Sequence, residues 1–242
     1  MAGNSNHYHF FHNHLFALLL ANAFAGPDVT VVLGSAFPPR GAGLLTRLLP
    51  HLAGGRPVHL LHVLPGSYTV ADCIFPIRAP LSIATPIARQ IILPFVLIEA
   101  GRRDPHDTQG PLKLFVRRVG AATGRLLLNQ DDVERWFTDR GFTAVDPGAL
   151  SIEDQILLFA RATHVAGVEE AAMTNVIFAP HLERVVMLAS THTRNDRFFQ
   201  QLIERYDTPF YTLLGAPTGA VRNADFTLPV ADLALLLREA IN

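Results

Sequence analysis

Along most of the chain, short apolar runs alternate with stretches in which apolar positions recur every three or four residues. The runs at 29–33, 58–64, 73–77, 112–116, 142–145, 162–166, 184–188 and 210–214 are bounded by Gly, Pro or polar clusters and predict buried strands. Helical spacing at 44–52, 88–100, 130–140, 170–178, 196–206 and 230–241 fills the intervals, with Pro94 expected to kink or shorten its helix. Such βα alternation implies parallel sheet covered on both faces, with ligands beyond the carboxyl ends of the strands.

Local signals mark the element ends. Asp131 and Asp132 suit the positive start of the 130–140 helix, and Gly141 fits its C-cap. Asp146-Pro147 predicts a turn, and Ser151 with Asp154 three residues on predicts an N-cap opening a further helix. Trp136 and Phe137 read as core. The charge-, Gly- and Pro-rich segment 101–111 breaks the pattern, which puts the expected boundary between lobes of residues 1–104 and 105–242.

Near the start, the apolar run 15–25 ends in small residues before Gly26, like the core of a signal peptide. The residues before it hold His7, His9, His12 and His14 but no Lys or Arg, and the run is too short for a bilayer. It reads as a buried amphipathic helix, with a signal peptide as the lesser alternative. On a helix His7 and His14 share one face and His9 and His12 another, and neither face gathers three ligands with a carboxylate, so no metal site is expected.

Charge narrows the function further. A formal net charge of −1, without any run of Lys or Arg, leaves no field for nucleic acid. Lys113 is the one lysine, so the basic groups are almost all guanidinium, which offers planar bidentate donors to phosphates. Cys73 stands alone in an apolar run, which excludes a disulfide framework within the chain and reads as a buried inert thiol.

The chemistry concentrates between Arg117 and Ala179. Arg117 and Arg125 flank a Gly-containing loop; then come Asn129, Gly141-Phe142, Asp146-Pro147, Leu150-Ser151, Gln155, Gly167 and Ala171-Ala172-Met173-Thr174-Asn175. Gly167 follows an expected strand and precedes an expected helix, where an anion can meet free backbone N–H groups. Taken alone, Thr174 and Asn175 read equally well as capping or solvent-facing residues, and either arginine as a surface charge.

This order resembles glycosyltransferase family 61, the group that includes bacterial capsular-polysaccharide biosynthesis proteins. Asn6, His9, Phe10 and Phe11 fit a second family pattern that enters an acceptor-side helix. Where the family usually has His-Gly this chain has Glu169-Glu170, and where an acidic residue is common it has Asn13. The resemblance implies a GT-B-type α/β fold of two Rossmann-like lobes with parallel sheets, residues 1–104 on the acceptor side and 105–242 binding the nucleotide sugar. It implies inverting transfer from a nucleotide-sugar donor to a glycan hydroxyl, without metal or other cofactor. Arg117, Arg125, Asn129, Gln155, Gly167, Thr174 and Asn175 would bind the donor, His9 would act on the acceptor side, and Glu169 is a displaced candidate for the base.

Glu169 and Glu170 also read as solvated acids at a helix start, or as carboxylates that repel a diphosphate. The expected setting is cytoplasmic, beside membrane-bound polysaccharide machinery, and the near-terminal position of the first motif suggests a short or truncated member. Two rivals stay open: a non-catalytic relative that binds nucleotide or glycan or supports a partner transferase, and an unrelated nucleotide-cofactor oxidoreductase. The second is disfavoured because no Gly-x-Gly-x-x-Gly follows a strand.

Overall fold

In the computed structural model the described residues are 11, 15–16, 29–34, 39–52, 58–63, 66–67, 69, 81–102, 110–119, 124–192, 196–221 and 223–236. The chain forms two compact units, Met1–Phe95 and Val96–Asn242.

In the first unit, β1 (Val29–Gly34) and β2 (Val58–Val63) pair in parallel, Val29 opposite Val58 through Gly34 opposite Val63. The helix α1 (Pro39–Leu52) connects them, as a parallel pair requires. Leu44, Leu45, Leu48 and Leu49 recur at helical spacing and are all buried, so this face supplies the core. Of the expected 15–25 helix, Leu15 and Phe16 are described, and both are buried. The strand expected at 73–77 lies outside the described residues.

Around Pro94 the helix does not stop. It runs as α2 (Leu81–Ile87), a π-helical stretch (Ala88–Ile92) and α3 (Leu93–Glu99), and the division between the units falls inside α3. Proline lacks an N–H and its ring crowds the carbonyl four residues back, here that of Gln90. Widening the preceding turn removes that conflict: the Leu93 N–H donates to the Ala88 oxygen, five residues back. Residues 81–99 are long and apolar enough to cross a bilayer by length and composition, with a mean hydropathy of 1.8 over an 18-residue window of which 44% is buried.

The second unit is built on a six-stranded sheet ordered β4-β3-β5-β6-β7-β8. Its strands are β3 (Leu112–Val116), β4 (Phe142–Val145), β5 (Ala162–Val168), β6 (Arg184–Ser190), β7 (Phe210–Pro217) and the short β8 (Phe226–Thr227). The first five are parallel and β8 runs antiparallel to β7. Between the strands come α4 (Gln130–Thr138), α5 (Ile152–Ala160), a 3-10 helix (Ala171–Phe178) and α6 (Asp196–Ile203); α7 (Val230–Leu236) follows β8. The chain passes from β3 outward to β4, then returns to place β5 on the other side of β3. Strand order therefore reverses at β3/β5, and the carboxyl ends of such a pair are where open parallel sheets form their ligand crevice.

Phe115, Val133, Phe137, Phe142, Ala166, Val186, Leu188 and Phe226 pack into one core beneath that crevice. Trp136 joins it, and the Arg140 guanidinium stacks over its ring at 3.9 Å. Ser151 caps α5, its Oγ accepting from the Asp154 N–H at 3.0 Å, and Gly141 takes a left-handed φ of 81° after α4. The α-helix expected at 170–178 is instead an eight-residue 3-10 helix. Thr174, Val176 and Ile177 are β-branched and crowd an α-helical turn, and Met173 to Phe178 are all buried against neighbours that fix the tighter winding.

Candidate functional site

The crevice is lined by the residues that follow Val116 at the end of β3 and Val168 at the end of β5. Arg117 and Arg118 leave β3 as an extended pair, so their side chains diverge. Arg117 donates its N–H to the Val145 oxygen at 2.8 Å, and its guanidinium turns towards Glu134 on α4. Its Nε lies 2.8 Å from Glu134 Oε2, an ion pair outside hydrogen-bonding angles.

Arg118 faces the other way and is only 8% exposed. Its N–H donates to Gln130 Oε1, its Nη1 to Glu170 Oε2 and its Nη2 to the Gly124 oxygen, each at 3.0 Å. Arg117 is the arginine named from the sequence; strand alternation turns it to Glu134 and its neighbour Arg118 to Glu170.

Burial is the largest influence on both members of the Arg118/Glu170 pair, lowering the arginine and pushing the Glu170 carboxyl up to about 7, with Asp146 adding to the latter. The attraction between them opposes both shifts without overcoming them. Desolvation thus exceeds what the pair regains, the usual balance for a buried ion pair.

Glu169 is 3% exposed, its N–H donates to the Leu188 oxygen, and its Oε1 lies 3.8 Å from Arg125 Nη1. As a candidate base it is therefore enclosed beside a cation, whereas the neighbouring Glu170 side chain is 17% open.

Arg125 sits in a strained loop. Gly124 has φ 71° and Arg125 itself φ 64°, a left-handed conformation that a non-glycine residue adopts only when its surroundings impose it. Here the imposing partner is the C-terminal segment. Arg125 donates its N–H to the Asn223 oxygen at 3.0 Å, Leu126 to Asp225 Oδ1 at 2.9 Å, and Leu127 bridges Phe226. A Cβ at Gly124 would lie 2.3 Å from the Asn223 oxygen, so only glycine fits.

Asn129 completes this clamp: its Nδ2 donates to the Leu228 oxygen at 2.7 Å and its Oδ1 accepts the Leu228 N–H at 3.1 Å. Both ends of its amide are engaged by backbone, which is why it makes no side-chain cap for α4.

The remaining sequence candidates lie behind the crevice. Asn175 Nδ2 donates to Gln155 Oε1 at 2.9 Å, both residues buried, and so ties the 3-10 helix to α5. The Thr174 hydroxyl is buried and has no hydrogen-bond partner among the described residues. Gly167 is inside β5 rather than in the turn after it, opposite Val116, and a Cβ there would meet the Val116 Cβ at 2.8 Å and Met173 Sδ at 3.0 Å. It serves close packing at the crevice floor. The turn itself is Glu169-Glu170. His9, Asn6 and Asn13 lie outside the described residues.

A separate cavity of about 300 Å³ opens between the end of α6 and the start of β7, lined in part by Ile203, Glu204, Asp207 and Phe210. It sits at the amino end of β7, and Glu204 and Asp207 contribute its acids. Among the described residues no three His, Cys, Asp or Glu side chains gather to hold a metal.

The fold and crevice define an α/β protein with a parallel-dominated sheet and an arginine- and glutamate-lined site where strand order reverses. The family model Glycosyltransferase 61 matches residues 7–186, and the chain belongs to that family. Its activity is transfer of a sugar, with a nucleotide-sugar donor and a glycan acceptor as the implied ligands. No curated protein matches the chain. The match covers the crevice and ends before the clamp segment 223–228, so the loop that carries Arg125 is held by residues beyond it.

Proposed function

We propose that the crevice binds the donor diphosphate through Arg118 and Arg125, and that the protein transfers the donor sugar to a glycan hydroxyl with inversion. The observation that carries this reading is the convergence of both guanidinium groups on the β3/β5 reversal, where open parallel sheets bind their ligands. Leaving diphosphate must have its charge met by positive groups, which preplaced guanidinium groups supply in a desolvated site. Inversion follows when the acceptor hydroxyl attacks the anomeric carbon opposite the leaving group while a base takes its proton. His9 is the base in this reading, and the first unit is the acceptor-side lobe of a GT-B-type arrangement. The setting proposed is polysaccharide synthesis at the cytoplasmic face, beside membrane-bound partners.

Titration of the purified chain with UDP, GDP, CDP and their sugar conjugates tests the donor site. Selective binding that disappears in Arg118→Ala and Arg125→Ala supports it and directs an acceptor screen. A folded protein that binds none of them sinks it.

A second reading has its own observation. Glu170 occupies Arg118 and Glu169 lies beside Arg125, as in a relative that binds nucleotide or glycan without turnover. Turnover that appears only in Glu169→His with Glu170→Gly would favour this reading.

A further inference from the structure

Both arginines that face the crevice already have a carboxylate built in from the turn after β5. Glu170 bonds Arg118 at 3.0 Å, and Glu169 lies 3.8 Å from Arg125. Two more acids act on the same groups through space, Asp146 from the end of β4 on Glu170 and Asp225 from the clamp on Arg118. Among the described residues named here, that is four acids to two arginines when all are ionised. Above about pH 7, where Glu170 carries its charge, a diphosphate therefore reaches Arg118 only by taking it from a carboxylate.

Glu170 is the carboxylate that can leave. Its side chain, though largely buried, keeps a 17% opening to solvent where that of Glu169 keeps 3%, and it holds Arg118 at Nη1. Arg118 Nη2 stays anchored on the Gly124 oxygen, so the guanidinium keeps its place when Glu170 moves away. A carboxylate displaced beside phosphate oxygens is in contact with like charge, which favours its neutral form.

On the donor-site reading above, we infer that Glu170 is an internal competitor of the donor diphosphate: a nucleotide sugar binds by displacing Glu170 from Arg118, and the displaced carboxyl takes one proton from solvent. Binding is then coupled to pH. Among the described residues, the charged groups that act on Glu170 are Arg118 and Arg125 from the segment after β3 and Asp146 from the end of β4, with Glu169 beside it in the chain. Burial places the free-protein titration of Glu170 at about 7. Below that pH the proton is already present and affinity is level; above it, affinity falls by up to about tenfold per pH unit.

Calorimetric titration of the full chain with UDP-, GDP- and CDP-sugars between pH 6 and 8.5, in two buffers of different ionisation enthalpy, tests this. The phosphates of such sugar diesters do not titrate near neutrality, so they add no proton of their own. The expected result is uptake of about one proton per nucleotide at pH 8, with affinity weakening as pH rises. Glu170→Gln, checked for folding by its thermal melt, should bind more tightly than wild type at pH 8, with level affinity and no proton uptake.

Wild-type binding that is level in pH without proton uptake overturns the inference while leaving the donor site standing. Absence of binding by folded wild type and Glu170→Gln at every pH overturns the donor-site reading and the inference with it. The wild-type arm needs no variant to fold.

Discussion

Arg117 and Arg118 are chemically identical neighbours, yet one pairs with Glu134 on α4 and the other with Glu170 in the crevice. The difference is set by strand alternation, and it gives a direct contrast. Arg118→Ala should abolish nucleotide binding, whereas Arg117→Ala should change it by less than about threefold, the scale of a half-exposed ion pair; parallel titrations of the two variants check this. Glu170 carries a stability signature of its own. Its folded carboxyl titrates at about 7 against an ordinary 4.5, so between those values the folded chain keeps a proton that the unfolded chain has lost. The resulting stability is fully present below 4.5 and is lost as pH rises through about 7, a loss of up to about 3 kcal/mol. Thermal melts from pH 4.5 to 8 should show this decline in wild type and a flatter profile in Glu170→Gln; equal slopes would mean that the carboxyl is not buried as described.

At the scale of elements, the loop that carries Arg125 is held in shape by another part of the chain. Residues 124–129 take their shape from hydrogen bonds to 223–228 rather than from their own propensities. Gly124→Ala should therefore destabilise the protein by at least about 2 kcal/mol, since left-handed strain adds to a collision with the Asn223 oxygen. Gly141→Ala has comparable strain, at φ 81°, but open space around it, and should cost only about 1 kcal/mol. Denaturant midpoints of the two variants separate steric from conformational cost. Asn129→Ala removes both bonds to Leu228 and leaves a partly buried N–H and carbonyl unpaired, about 1–3 kcal/mol. If its melt matches wild type, the clamp does not hold the loop.

For the whole molecule, binding at the crevice should appear as stabilisation of the unit that contains it. A nucleotide sugar at about 100 times its Kd contributes about 2.7 kcal/mol, which raises Tm by about 5–10 °C for a unit of this size. Differential scanning calorimetry should show that shift in wild type and none in Arg118→Ala. The chain's periodicity was enough to predict parallel α/β structure, most strand positions in the second unit, the Ser151 cap and the left-handed Gly141 after α4, because these follow from side-chain period and local backbone chemistry. The spacing of Arg, Gln and Thr-Asn motifs carried the family in the same way, since each motif lies within one stretch of chain. Other features needed the third dimension. The reversal of strand order, the opposite pairings of Arg117 and Arg118, the engagement of Asn129 by Leu228, the burial of Gly167 inside β5 and the pairing of Arg118 and Arg125 with Glu170 and Glu169 all join residues far apart in sequence or facing opposite ways. Sequence sets what each segment prefers, but packing decides which groups meet and which are removed from water, and with that where the charge of this site resides.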